Sequence, residues 1–193
     1  LADYVIVTAE KFENHLDDLV DLRSDQGYRV AVQSVGPIYH HFGNGVPKPE
    51  AIQAYLNYTA ESWSPPPKYV VLVGDGHFDP RKNLDESKDI QLPPFLVDSD
   101  PWMGETAADN RFVTFDGPDD QIPELAIGRF PVNEVSELQT MIAKIKERET
   151  EPQNGNWLGT FTLVSDDKDP GDDQDSEGSK FSRQTESLID AFI

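Results

Sequence analysis

Apolar positions in this sequence follow two rhythms. A continuous run of strand length stands at residues 4–9 (YVIVTA), and further strand-length stretches rich in apolar residues stand at 28–35 (YRVAVQSV), 68–75 (KYVVLVGD) and 124–130 (ELAIGRF). Between them, apolar residues recur every three or four positions: Phe12, Leu16, Leu19 and Val20; then Ile52, Tyr55, Leu56 and Thr59; then Val135, Leu138, Met141, Ile142 and Ile145. The runs predict strands buried on both faces, and the spaced residues predict amphipathic helices. Punctuation agrees. Gly27 stands where the first helix should end, Pro65, Pro66 and Pro67 stop the second, and Asn133 suits the N-cap of the third. Strands alternating with helices predict a mostly parallel sheet covered on both faces, a three-layer α/β/α sandwich.

Three stretches break the rhythm. Residues 36–49 (GPIYHHFGNGVPKP) read as a loop, His40 and His41 included, from their Gly and Pro content. Residues 76–123 are rich in Asp, Pro and Gly and read as a long excursion from the sheet edge, with 111–117 (RFVTFDG) its one short strand. Residues 150–156 (TEPQNGN) read as a linker, 157–167 (WLGTFTLVSDD) as a new strand, 168–179 as an acidic loop, and a final helix is expected from near Lys180. That helix would end with Leu188, Ile189, Phe192 and Ile193 uncovered, and the chain opens directly on a strand. Bare apolar ends need a partner, so the natural chain is expected to continue. The expected division is 1–150 as a first subdomain and 151–193 as the incomplete opening of a second.

Charge changes the picture more than composition does. Acidic residues outnumber basic ones 36 to 16, for a formal charge of -20 in 193 residues. Such a surface repels nucleic acid and anionic lipid and favours cations, calcium among them. No apolar run approaches the roughly 20 residues of a membrane span. Neither nucleic-acid binding nor membrane insertion is expected. Cysteine is absent, which excludes disulfides, zinc–thiolate sites and a cysteine nucleophile within these residues. Asn57-Tyr58-Thr59 fits a glycosylation sequon.

Candidate chemistry gathers in three places. The run 70–80 (VVLVGDGHFDP) carries a buried strand into a loop, at the carboxyl end where open α/β sheets place ligands. Gly74-Asp75-Gly76 lacks the third glycine of a dinucleotide turn, for Asp79 stands there, and an acid in the turn would repel a pyrophosphate. His77 between Asp75 and Asp79 fits either a catalytic pair or a hydrogen-bonded loop network, and no G-x-S-x-G elbow accompanies it. The second place holds Asp109, Asp116, Asp119, Asp120 and Glu124 within 16 positions, with Asp98 and Asp100 upstream. Calcium takes about six to eight oxygen ligands, and Asp-Gly turns bring carboxylates together. The spacing is not that of an EF-hand, and a solvated acidic turn is the alternative. The third place is the acidic stretch after residue 165, where Asp166 and Asp167 would close a strand at the sheet's carboxyl edge.

Residues 123–149 (PELAIGRFPVNEVSELQTMIAKIKERE) resemble the P-[DE]-L-A-I-G-R-[FL]-P-V segment and following helix of the gingipain family of cysteine peptidases. KYVVLVGDGHFDPR, ADNRFVTFDG and WLGTFTLVSDD resemble further segments of that family in the same order, so the likeness spans nearly the whole chain. The resemblance implies a caspase-like sandwich of two side-by-side subdomains, the first non-catalytic and the second carrying a His–Cys dyad. The family's histidine lies in a G-H-G motif with the cysteine beyond it, and neither motif occurs in these residues. The expectation is therefore a fragment of a gingipain-like cysteine endopeptidase, inactive by itself, with the dyad beyond residue 193. The family's acidic assistant to the histidine would be Asp167, with Asp166 and Asp169 as alternatives. Arginine-specific members carry an acid in the region where Ser182 stands here, so arginine specificity is not expected. The resemblance also implies structural calcium at the acidic turn, a polypeptide substrate, and the remainder of the catalytic subdomain as partner. It implies an extracellular or cell-surface location. The alternative is a non-enzymatic caspase-like scaffold for secretion or assembly that lacks the dyad.

Overall fold

The computed structural model describes residues 1–77, 79, 83, 90–102, 104–117, 119–151, 155, 159–165 and 177–192. In chain order the elements are β1 (Tyr4–Thr8), α1 (Asp17–Asp25), β2 (Val30–Ser34), α2 (Val35–Phe42), α3 (Pro49–Ser62), β3 (Tyr69–Val73), β4 (Leu96–Asp100), β5 (Gly104–Ala107), β6 (Ala126–Phe130), α4 (Val135–Thr150) and α5 (Glu177–Phe192). Short 3-10 turns cover Glu10–His15 and Asp109–Val113. The chain divides into two compact units, Leu1–Glu151 and Pro152–Ile193.

The first unit is built on a four-stranded sheet in the order β2-β1-β3-β6, with every neighbouring pair parallel. Tyr4 lies between Val30 and Tyr69 in register, and Tyr69 faces Ala126. Side chains alternate across the pleat. Val5, Val7, Val70 and Leu72 pack with Ile38, Ile52, Leu56 and Phe112 on the face covered by α2 and α3. Tyr4, Ile6, Val71 and Val73 pack with Phe12, Leu19, Leu138 and Ile142 on the face covered by α1 and α4. Each large apolar side chain so enclosed contributes about 1.5–3 kcal/mol. The three-layer α/β/α arrangement expected from the sequence is therefore present.

Several local expectations are corrected. Residues 36–49 are not all loop, because α2 occupies Val35–Phe42. Gly36 and Pro37 fall in its first turn, where a missing N–H sacrifices no helical bond. Residues 111–117 form no strand; Phe112 and Val113 are buried from a 3-10 turn instead. The excursion's strands are β4 and β5, an antiparallel hairpin that the sequence reading missed. The N-cap of α4 is Glu134 rather than Asn133, with Glu137 completing a capping box. Residues 160–165 adopt no strand conformation. In the second unit, α5 exposes Phe181, Leu188 and Ile189.

Candidate functional site

The carboxyl edge of the sheet is held by one arginine. Arg129 of the I-G-R-F segment extends from β6, with its side chain 11% exposed. Its Nε and Nη2 donate to both carboxylate oxygens of Asp109 at 2.8 Å, a two-pronged fit that only a guanidinium makes. Its Nη1 donates to the carbonyls of Gly74 at 2.8 Å and Leu92 at 3.3 Å. One side chain thus fastens the ends of β3 and β6, the loop at Leu92 and the 3-10 turn at Asp109. Its guanidinium also lies over the Phe112 ring, 5.9 Å from the centroid.

The V-G-D loop is bound into the same edge. The ladder between β3 and β6 continues past the strands: Gly74 N–H donates to Phe130 O and Asp75 N–H to Val132 O, each at 3.0 Å. Asp75 accepts from its neighbour Gly76 N–H through Oδ1 at 2.9 Å and from Asn133 Nδ2 through Oδ2 at 3.0 Å. Its carbonyl accepts the N–H groups of Gln91 and Leu92 at 3.1 and 3.0 Å. Gly74 has φ +137°, and a Cβ there would stand 2.8 Å from Gln91 Cβ, so the position requires glycine. Asp79 is buried; its N–H donates to His77 Nδ1 at 3.1 Å, and its Oδ1 accepts from Asn83 Nδ2 at 3.2 Å. No nucleophile stands with His77 in these contacts. Gly74, Asp75, Gln91 and Leu92 thus tie the described part of the loop to the sheet edge.

The acidic turn divides the five carboxylates proposed from the sequence. Asp116, Asp120 and Glu124 converge, each offering an oxygen within 4.8 Å of the others. The turn that gathers them depends on Gly117 at φ +117°. Asp120 is fixed by backbone N–H groups, from Ile122 to Oδ1 at 3.0 Å and from Asp116 to Oδ2 at 3.2 Å. The Ile122 and Asp116 hydrogen bonds hold its carboxyl below the usual range. Arg111 Nη1 donates to the Asp120 carbonyl at 2.8 Å and braces the turn from within. Asp119 is exposed and outside the trio. Asp109 is engaged by Arg129, which no local spacing could show, since the pair is 20 residues apart in sequence. Asp167, with its alternatives Asp166 and Asp169, lies outside the described residues.

The sequence matches the family described as Peptidase family C25 over residues 1–192. The chain belongs to that family. Solved relatives agree on the fold of this C25 chain. Dimeric latent PorU from Porphyromonas gingivalis matches at TM-score 0.62 and 22% identity, covering 83% of this chain and 17% of that one. The Arg-specific cysteine proteinase gingipain R matches at TM-score 0.56 and 22% identity, covering 75% of this chain and 28% of that one. The complex of Porphyromonas gingivalis RgpB pro- and mature domains matches with the same values, TM-score 0.56 and 22% identity over 75% and 28%. The C25 chain therefore spans less than a third of the solved relatives it resembles. Among curated proteins no relative matches it. Among the described residues, no helix is long and apolar enough to cross a membrane.

Proposed function

We propose that this chain is the non-catalytic half of a gingipain-like cysteine endopeptidase, together with the opening of its catalytic half. The observation that carries the reading is the family match along residues 1–192, joined to a sequence that contains no cysteine and a sheet whose carboxyl edge is cross-linked by Arg129. In the whole protein, a thiolate beyond residue 193 would attack a peptide carbonyl, with a histidine as base and then acid. The first unit would serve as a fixed wall, its edge held by Arg129, Asp109, Asp75 and Asn133. Asp167 would orient the histidine from the second unit. Polypeptide is the substrate class, the rest of the catalytic subdomain is the intramolecular partner, and the caspase-like protein would act outside the cell or at its surface.

Calcium belongs to this reading as a structural ion. Asp116, Asp120 and Glu124 are hard oxygen donors of the kind it takes, and they converge in a chain of charge -20. Bound there, it would neutralise the trio and stiffen the turn; backbone carbonyls and water would complete its shell.

The deciding experiment uses the longer natural gene product. It is expected to hydrolyse peptides and to lose that activity to iodoacetamide, while the 193-residue chain cleaves nothing. Cleavage by the short chain would overturn the placement of the chemistry outside it. A longer product without thiol-dependent cleavage would favour the secretion or assembly scaffold.

A further inference from the structure

The β4–β5 hairpin carries two features that a solvated arm does not need. Asp98 and Glu105 stand directly opposite each other in its ladder, both exposed. Cross-strand partners share a face, and like charges at that position repel. No cationic group among the described residues pairs with either. At the tip, Trp102 is 93% exposed, the most exposed large apolar side chain among the described residues of the first unit. It stands in the turn, four residues after Asp98 and three before Glu105. The base of the hairpin is firm by contrast: Ala108 N–H donates to Phe95 O at 3.0 Å, and the Phe95 ring packs against Phe112 at 5.0 Å.

We propose that this hairpin face is a docking site for a basic segment of a polypeptide, a lysine or arginine side chain lying between Asp98 and Glu105 with its neighbours against Trp102. Charge complementarity selects that occupant. A cation placed between the two carboxylates turns their repulsion into attraction. An exposed indole favours cationic and apolar stems alike, and tryptophan commonly anchors such contacts. The long-range field of a chain with charge -20 draws basic partners toward it and repels acidic ones. The inference is separate from the peptidase reading, since it concerns binding and not cleavage.

The test is fluorescence anisotropy of a short fluorescein-labelled lysine-rich peptide titrated with the full chain at low salt, in EDTA to exclude divalent ions. A twin peptide with glutamate for lysine is the specificity control. The lysine peptide is expected to bind and its twin not to. D98N/E105Q and W102A are each expected to weaken binding about fivefold or more. D21N/D25N makes the same charge change on exposed residues of α1 and is expected to leave binding within about twofold. D98N/E105Q should also raise the melting temperature of the free protein, because it removes the cross-strand repulsion, so loss of binding cannot be loss of fold. Equal weakening by D21N/D25N, unchanged binding in D98N/E105Q, or pairing of the hairpin with a second copy of the chain in sedimentation would overturn the proposal.

Discussion

Replacing Arg129 by methionine removes the whole clamp while keeping the volume of its stem. Four hydrogen bonds are lost, two of them to a carboxylate. Asp109 would be left as an unpaired charge with its side chain 30% exposed. Removing one partner of a fully buried ion pair costs about 3–5 kcal/mol. Water reaches part of Asp109, which places R129M at the lower end, about 3 kcal/mol. For a domain of this size that corresponds to a fall in melting temperature of about 6–12 °C. Urea unfolding followed by far-UV circular dichroism should show the loss as a lower midpoint with an unchanged slope. R129M/D109N also neutralises the orphaned carboxylate, so it should recover about 1–2 kcal/mol. R129K keeps the charge without the fork and should fall between wild type and R129M. An R129M variant within about 1 kcal/mol of wild type, or a double variant no better than the single, would refute the clamp.

Other expectations follow from the same contacts. Asp3 is held down to about 2 by Arg29, whereas its usual value is 3.8. Hydrogen bonds from Arg23 to Glu149 and from the Asn133 N–H to Glu137 likewise hold those carboxyls below 4.5. Groups with lowered folded values stabilise above their unfolded values and lose that contribution as pH falls, so melting temperature should drop between about pH 4.5 and 2, and less steeply in D3N. L72A, which empties a fully buried core position, should cost about 2–5 kcal/mol by urea denaturation. G74A forces a Cβ against Gln91, so hydrogen exchange should accelerate at the Gln91 and Leu92 amides, with a stability loss of about 1–3 kcal/mol. Calcium should raise the melting temperature and a chelator lower it in wild type, but neither should act on D116N/D120N/E124Q; equal shifts in both proteins would remove the ion from the turn.

The strands were readable because parallel strands enclosed on both faces are apolar at nearly every position, as β1 is from Tyr4 to Val7. The hairpin was not, since its strands are short and their Asp, Ser, Gly and Glu residues resemble loop composition. α2 was hidden by Gly36 and Pro37, which look like breakers until their place in the first turn is known. Phe112 and Val113 imitated a strand because a 3-10 turn can bury two adjacent side chains under a helix. At the acidic turn, local spacing gathered the correct segment but not its membership. Asp109 was claimed by an arginine whose approach is set by the sheet, and only the folded backbone shows which of the remaining carboxylates meet.

The firm base of the hairpin has a consequence for how this architecture diversifies. Arg129 grips the chain at Leu92 and again at Asp109, one before the hairpin departs and one after it returns. Between those two moorings Phe95 packs against the core at the base, while the described residues of the hairpin beyond it, from Leu96 to Ala107, join neither core cluster. The segment behaves as an interchangeable tool on a fixed handle: it can be shortened, lengthened or swapped for another sequence, and the sheet beneath will keep its shape.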